Sequence, residues 1–383
     1  MRINFKKSPQ STLGIEWELA TIDLKTMEQA PAADIVLSQV DDPVDGPIRG
    51  EYLNSMIELV SGVHTTVSSA TQEMAELLGF VLELLEPHGF TVLAIGSHPF
   101  SDPGAQQPRQ KAQYRRVTER NAWWGSLMAI NGLHIHTGVA ERDKALPITY
   151  GMARFIPYFI ALSASSPFWE GIDTRFASQR TMIFQQLPTN GLPYHMKSWD
   201  EYERYATELE GVGMIQNPSE IRWDIRPATW GTVENRAMDC VPTVMELGAL
   251  AAMSQCLVEF MSREFDAGGT IDRLAYWFMR ENKWRAARYG LDAEVITPRP
   301  WEHTLHVREG ITRWVEDLMP IAEELGCPEE LENCAELVRN GPSYVRQRRV
   351  YKKTRDMRAV VRSVVSETVN GRPNFSRKKE SRV

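Results

Sequence analysis

"TLGIEWELATIDL", residues 12–24, places Glu16 and Glu18 one residue apart inside an otherwise apolar run. Alternation with a period of two is the mark of a β-strand, so both carboxylates point to the same face of a sheet. Like charges side by side on a strand repel one another and are costly to bury. Such a pair asks for something that compensates its charge.

Strand parity sorts the polar residues of further segments in the same way. Glu58 stands alone among apolar residues in "PIRGEYLNSMIELVSGVH" (47–64), and His134 and His136 share a face in "NGLHIHTGV" (131–139). "EIRWDIRPATWGTVENRAMD" (220–239) reads as two strands joined near Pro227 and Gly231. Arg222, Asp224 and Arg226 share one face there, and so do Thr232, Glu234 and Arg236. Taken singly, each group has a structural reading: an exposed sheet edge, a pair of satisfied histidines, an ion-pair ladder. Five charged strand segments in one chain are better explained by divalent cations, and Mg²⁺ or Mn²⁺ suits carboxylates with an occasional imidazole.

Metals held in this way usually serve a polyphosphate. The chain has no G-x-x-x-x-G-K-[ST] loop, and "GVGMIQ" (211–216) does not complete a dinucleotide fingerprint. ATP would therefore be held by metals and arginines, with Arg115, Arg180, Arg226 and Arg236 as candidates. Such an enzyme would polarise the γ-phosphate, transfer it to a carboxylate and let an amine attack the acyl phosphate.

The 383 residues are 43% hydrophobic and 24% charged, as in an ordinary globular protein, and the net charge of −7 argues against nucleic acid or an anionic membrane as partner. No run of about 18 apolar residues is apparent, and "MRINFKKSPQ" lacks the apolar core of a signal peptide, so the cytoplasm is expected. Cys240, Cys256, Cys327 and Cys334 form no C-x-x-C pair and read as free thiols.

Residues 68–90 read as an amphipathic helix stopped at Pro87-His88-Gly89, residues 91–100 as a short buried strand, and residues 147–169 as a core helix. From residue 241 the pattern is mostly helical. Strands and helices do not alternate, so an α+β fold with a mainly antiparallel sheet is expected rather than βαβ units. The expected organisation is one catalytic domain over 1–383, with an α+β core at about 12–240, a helical region at about 241–370 and a frayed basic tail at 371–383. Trp123, Trp124 and Trp223 read as core, and "RQRRVYKKTRDMR" (346–358) as a solvated face.

"GIEWEL", "IELVSGVH", "AIGSHPF", "NGLHIHTGV", "ALSASSPFWEGIDTRFASQR", "QLPTNGLP", "WDIRP", "GTVENRAMD" and "NKWRAARYGL" occur in the order seen in the glutamate–cysteine ligase family 2, the carboxylate–amine ligases. The chain resembles that family from about Thr12 to about Arg349. The resemblance implies a glutamine-synthetase-like fold, with a curved antiparallel sheet lining a funnel that ATP enters at one end and amino acids at the other. It implies two or three Mg²⁺ ions held by Glu16, Glu18, Glu58, His136 and Glu234, with His134 to be tested beside His136. It places Arg226 and Arg236 on phosphate or the acyl-phosphate transition state, Arg180 on the phosphates or the substrate carboxylate, and Asn131 and Trp230 in the substrate pocket. No general base is obvious in the sequence; solvent or a carboxylate such as Glu58 would deprotonate the amine.

The implied reaction joins the γ-carboxyl of L-glutamate to the amine of L-cysteine through γ-glutamyl phosphate, a step of glutathione biosynthesis. The alternatives are other carboxylate and amine substrates, phosphotransfer of the guanidino-kinase type, and a non-catalytic Mg-ATP sensor. Partners are small molecules, with no nucleic acid and no membrane, and a homodimer is a guess that no residue supports.

Overall fold

The computed structural model describes residues 1–298 and 304–375, apart from the side chains of residues 112 and 113. The opening run forms the strand Leu13–Asp23 inside a seven-stranded sheet. Across that sheet the order is Ile225–Ala228, Thr232–Asp239, Gly132–Gly138, Leu13–Asp23, Met56–Val60 and Ile48–Gly50, each antiparallel to its neighbour. Phe90–Leu93 pairs with the far end of Leu13–Asp23, also antiparallel. With helices flanking it, this is the expected α+β architecture.

The period-two pattern gives the sheet two unlike faces. Leu13, Ile15, Trp17 and Leu19 join Leu133, Ile135, Ile57, Leu59 and Val233 in the main core. The helices Val67–Leu85 and Val244–Asp266 pack on that side, and the Trp17 indole donates to the carbonyl of Val241 at 3.1 Å. Burying each such Leu or Ile side chain contributes roughly 1.5–3 kcal/mol. Val67–Leu85 starts at Thr66, whose hydroxyl accepts from the Ser69 amide, and gives way at Glu86–His88 to a 3₁₀ turn. By length and composition Val244–Asp266 could cross a membrane, an exception to the sequence expectation, but 78% of its apolar window is buried within the protein.

The serines of "ALSASSPFW" form a lock at the end of Thr232–Asp239. The Asp239 carboxylate is buried and accepts from Ser165 N at 2.9 Å, Ser166 Oγ at 2.7 Å and Ser178 Oγ at 2.7 Å. Ser165 Oγ donates to the Cys240 carbonyl at 2.6 Å, and Ser163 Oγ accepts from Asp239 N at 3.2 Å. These donors satisfy a carboxylate that burial would otherwise penalise heavily.

Several elements differ from the sequence reading. The helical pattern at 147–169 is two helices, Arg142–Ala153 and Ile156–Ser163, bent by 60°. The basic segment 346–358 spans a break between Ser343–Thr354 and Met357–Asn370, where Arg355 takes a φ of 56°. It is not simply a solvated face, because Arg346 and Gln347 are buried. Arg346 reaches Glu367 at 2.9 and 2.8 Å and Glu246 at 2.8 Å. The described start of the tail docks on this group, with Asn374 N donating to Glu367 at 3.0 Å, and residues 376–383 lie outside the described residues. Trp223 is core, but Trp123 and Trp124 are 66% and 38% exposed on an unforeseen helix, Ala112–Ser126. All four cysteines are buried and free.

His98 makes the fold acid-sensitive. Its buried ring donates from Nε2 to the Met27 carbonyl at 2.8 Å, and Nδ1 accepts from the amides of Phe100 and Ser101 at 3.2 and 2.9 Å. That pattern requires the neutral ring, and burial lowers its pKa to about 4. Between the ordinary histidine value and 4 the unfolded chain binds the extra proton, so stability falls as pH drops through that window. The loss should approach about 3 kcal/mol by pH 4. Urea midpoints for the wild type and His98→Gln test this: the variant should flatten the slope between pH 6.5 and 4, and an unchanged slope would refute the assignment.

Candidate active site

The polar face of the sheet collects the charged residues by register. Glu18 lies opposite Glu58, Glu16 opposite His134, His136 opposite Glu234, and Glu234 opposite Arg226. Directly paired residues on antiparallel strands share a face at close range, so five strands converge on one cluster. His134 Nδ1 is 2.9 Å from Glu16 and its Nε2 is 3.6 Å from Glu18. His136 Nε2 is 3.3 Å from Glu16 and 3.8 Å from Glu234.

Glu234 anchors the cationic side. It is wholly buried, receives Arg226 Nε at 2.6 Å and also binds Arg236 Nη1. Burial would raise its pKa, but Arg226 and Arg236 hold the carboxyl far below the usual range. Arg226 is steadied from behind by the carbonyls of Ser219 and Ile221, at 2.6 and 2.8 Å. Arg236 follows a register shift in its strand, and its amide donates instead to the Asp224 carbonyl at 2.7 Å. The Asp224 carboxylate pairs with Lys283 of the Tyr276–Tyr289 helix at 2.6 Å, both buried. Arg222, Asp224 and Arg226 therefore do not form a ladder.

The carboxylates on the other side are less well matched. Burial pushes Glu16 up, but the contacts from His134 and His136 outweigh it and hold the group well below its ordinary value. Glu58 is pushed well above its ordinary value, by burial and then by Glu16, Glu51 and Glu18. Glu51 escapes the strand-parity reading because it follows the short strand Ile48–Gly50 rather than lying in it. Burial and the neighbouring Glu18 raise its pKa to about 7. The only sequence signal for Glu51 is its place in the same quoted segment as Glu58.

A cavity of about 230 Å³ is lined by Glu18, Glu51, His134, Arg180, Arg222 and Arg236. Arg180 sits on the short helix Gln179–Phe184, and a Cβ at Gly132 would lie 2.2 Å from its Nη2, so a side chain there would push the guanidinium out of place. Burial, then Arg236 and Arg226, depress the Arg222 pKa to about 10. Beyond Glu16 and His136 a second cavity, of about 260 Å³, is bordered by Trp230, which is 60% exposed beneath Lys6. Asn131 is buried, with Nδ2 on the Ile95 carbonyl at 3.0 Å and Oδ1 without a partner. Arg115 is exposed and borders neither cavity, whereas Arg116 and Arg120 of the same helix line an adjoining one with Arg222.

The donor set fits a hard divalent cation. Ligand-capable atoms of Glu16, His134 and Glu234 lie within 4.8 Å of one another, and so do those of Glu18, Glu58 and His134. Nε2 of both histidines is buried without a hydrogen-bond partner. His134, set second to His136 in the sequence reading, belongs to both groups of three.

A family model described as "Glutamate-cysteine ligase family 2(GCS2)" matches residues 12–367. A relative from Paenarthrobacter aurescens (strain TC1), named "Putative glutamate--cysteine ligase 2-2", is 44% identical over 97% of this chain and 99% of its own length. A relative of the same type from Leifsonia xyli subsp. xyli (strain CTCB07) is 45% identical over 97% of this chain and 99% of its own. Among solved structures, the glutamate–cysteine ligase of Francisella tularensis in complex with AMP superposes with a TM-score of 0.69 at 13% identity, over 96% of this chain and 90% of that one. A bifunctional glutathione synthetase from Pasteurella multocida superposes with a TM-score of 0.62 at 13% identity, over 94% of this chain and 51% of that one.

Proposed function

The chain belongs to the glutamate–cysteine ligase family 2 and is an ATP-dependent ligase forming a C–N bond, and on that footing we propose that it joins the γ-carboxyl of L-glutamate to the amine of L-cysteine. The observation that carries this reading is the carboxylate–histidine cluster lying between two cavities, one rich in arginine. Such a division suits ATP on one side and amino acids on the other.

In this reading Glu16, Glu18, Glu58, His134 and Glu234 hold Mg²⁺ or Mn²⁺, with His136 beside them. Metal bound there supplies Lewis-acid polarisation of the phosphoryl oxygens. Arg180, Arg222 and Arg236 line one cavity and hold negative charge as the γ-phosphoryl group moves from ATP to the γ-carboxylate. Attack of the amine then expels phosphate and leaves ADP and γ-glutamylcysteine. Glu51, which lines the cavity and belongs to neither group of three potential ligands, is the carboxylate left to take the amine proton. The buried free thiols accord with a cytoplasmic setting.

The decisive experiment is phosphate release from Mg-ATP with L-glutamate and a panel of amines, with mass spectrometry of the products. A γ-glutamylcysteine peak that needs both amino acids and disappears with EDTA supports the proposal. Turnover with another pair keeps the mechanism and replaces the substrate. A stable phosphorylated product without free phosphate points to phosphotransfer, and binding without turnover to a sensor.

The metal reading also predicts stability. Without cations the buried carboxylates repel, so millimolar Mg²⁺ should raise Tm by several degrees. The gain should be larger at pH 8 than at pH 6, because cations compete with the proton held by Glu58. Differential scanning fluorimetry with and without EDTA reads this, and an unmoved Tm counts against the ligand set.

A further inference from the structure

A cavity of about 210 Å³ lies apart from the carboxylate cluster and shares no lining residue with the two cavities beside it. It opens where Arg142–Ala153 meets Ile156–Ser163 and is walled by the Tyr276–Tyr289 and Val307–Leu325 helices and the Glu294–Ile296 strand. Phe155, Leu274, Val295, Leu305 and Trp314 make much of the wall apolar.

Arg154 is set into this wall. Its guanidinium lies 4.8 Å from the Phe155 ring centroid and 5.5 Å from that of Trp314, and its side chain is 12% exposed. Its ion-pair partner among the described residues is Asp272, 3.5 Å from Nη1, and that carboxylate is 57% exposed. Nε is buried without a partner, and Nη2 makes no hydrogen bond among the described residues. Arg154 lines the cavity, and a guanidinium is a charge-assisted donor suited to a carboxylate. Arg346 is matched by Glu246 and Glu367 and Arg236 by Glu234, whereas Arg180 beside the carboxylate cluster also carries a buried Nε without a partner. Leaving a buried charged donor unmatched costs more than an ordinary lost hydrogen bond.

A second donor lies close by. The Tyr158 hydroxyl makes no hydrogen bond among the described residues, and burial pushes its pKa up to about 12, so it carries its proton at neutral pH. It fits against Gly310, where a Cβ would lie 2.6 Å from the hydroxyl oxygen.

We propose that this cavity is a binding site for a small organic carboxylate with an apolar body, its carboxylate on Arg154 and the Tyr158 hydroxyl and its body among Leu274, Val295 and Leu305. The test titrates 3-phenylpropionate and its uncharged amide into the full-length protein, followed by calorimetry and ligand-observed NMR. Saturable binding of the acid is expected, at least tenfold weaker for the amide and for Arg154→Gln, severalfold weaker for Tyr158→Phe, and undisturbed by saturating Mg-ATP. Thermal unfolding confirms that each variant is folded, and Tyr158→Phe, which removes one oxygen, carries the test if Arg154→Gln does not fold. Absence of saturation, equal binding of the amide, unaltered affinity in folded Arg154→Gln or in Tyr158→Phe, or displacement by Mg-ATP would overturn the proposal.

Discussion

Glu234→Gln is expected to lower kcat on the order of 10³-fold while the protein remains folded. The substitution keeps the shape of the side chain and removes its charge, and Glu234 is where three demands meet. It stands opposite both His136 and Arg226 in register, it belongs with Glu16 and His134 among the potential ligand atoms, and it neutralises Arg226 and Arg236. A neutral amide is a poorer donor to Mg²⁺, and its NH₂ would face an arginine N–H across a hydrogen-bond distance. Removing one preorganised electrostatic partner of a transferring group typically costs 10²–10³-fold, and the arginines would lose their alignment as well. The measurement is steady-state turnover of the variant with matched thermal unfolding. Activity within tenfold of the wild type would remove Glu234 from the site. A second readout separates the two roles: if Glu234 is a ligand, the Mg²⁺ concentration giving half-maximal rate rises, whereas a purely arginine-positioning role leaves it unchanged.

Much of this site is legible in the amino-acid sequence alone, and the reason is geometric. A strand repeats every two residues, so Glu16 with Glu18, His134 with His136, and Glu234 with Arg236 declare a shared face from spacing alone. The antiparallel pairing of those strands then brings the faces together. Glu51 lacks such a repeat, because it lies just past a three-residue strand, and its proximity to Glu18 is a product of tertiary folding. Asp224 shows the opposite failure. Its spacing from Arg222 and Arg226 suggests a ladder, but a buried lysine about sixty residues further on competes for it and wins. The exposed Trp123 and Trp124 mislead for a simpler reason: tryptophan is usually buried, and nothing in "NAWWGS" says that the helix carrying it lies over cavities rather than over the core.

The basic C-terminal helix is the least legible part, and it yields the largest expected effect on stability. Arg346→Met should cost about 3–5 kcal/mol, the range found when one partner of a buried ionic group is removed and the others are left uncompensated. Glu246 and Glu367 are buried around Arg346, and burial already raises the Glu246 pKa even with the guanidinium present. Without it, the Glu246 carboxylate should hold its proton in the folded state to pH values at which the unfolded chain has lost it. Folding of the variant then requires proton uptake, so its stability should fall as pH rises from 5 to 8 more steeply than that of the wild type. Restoring neutrality by adding Glu246→Gln and Glu367→Gln should recover much of the loss, since the penalty lies in the stranded charges more than in the missing attraction. The consequence reaches the active site through Gln347, which donates to the Ser165 carbonyl at 2.7 Å and so braces the serine lock around Asp239 at the end of the Glu234 strand. Urea unfolding of the single and triple variants between pH 5 and 8 is the measurement. If the single variant loses less than about 1 kcal/mol, or if the triple variant is no more stable than the single one, the helix is held by its apolar contacts and not by this ionic group.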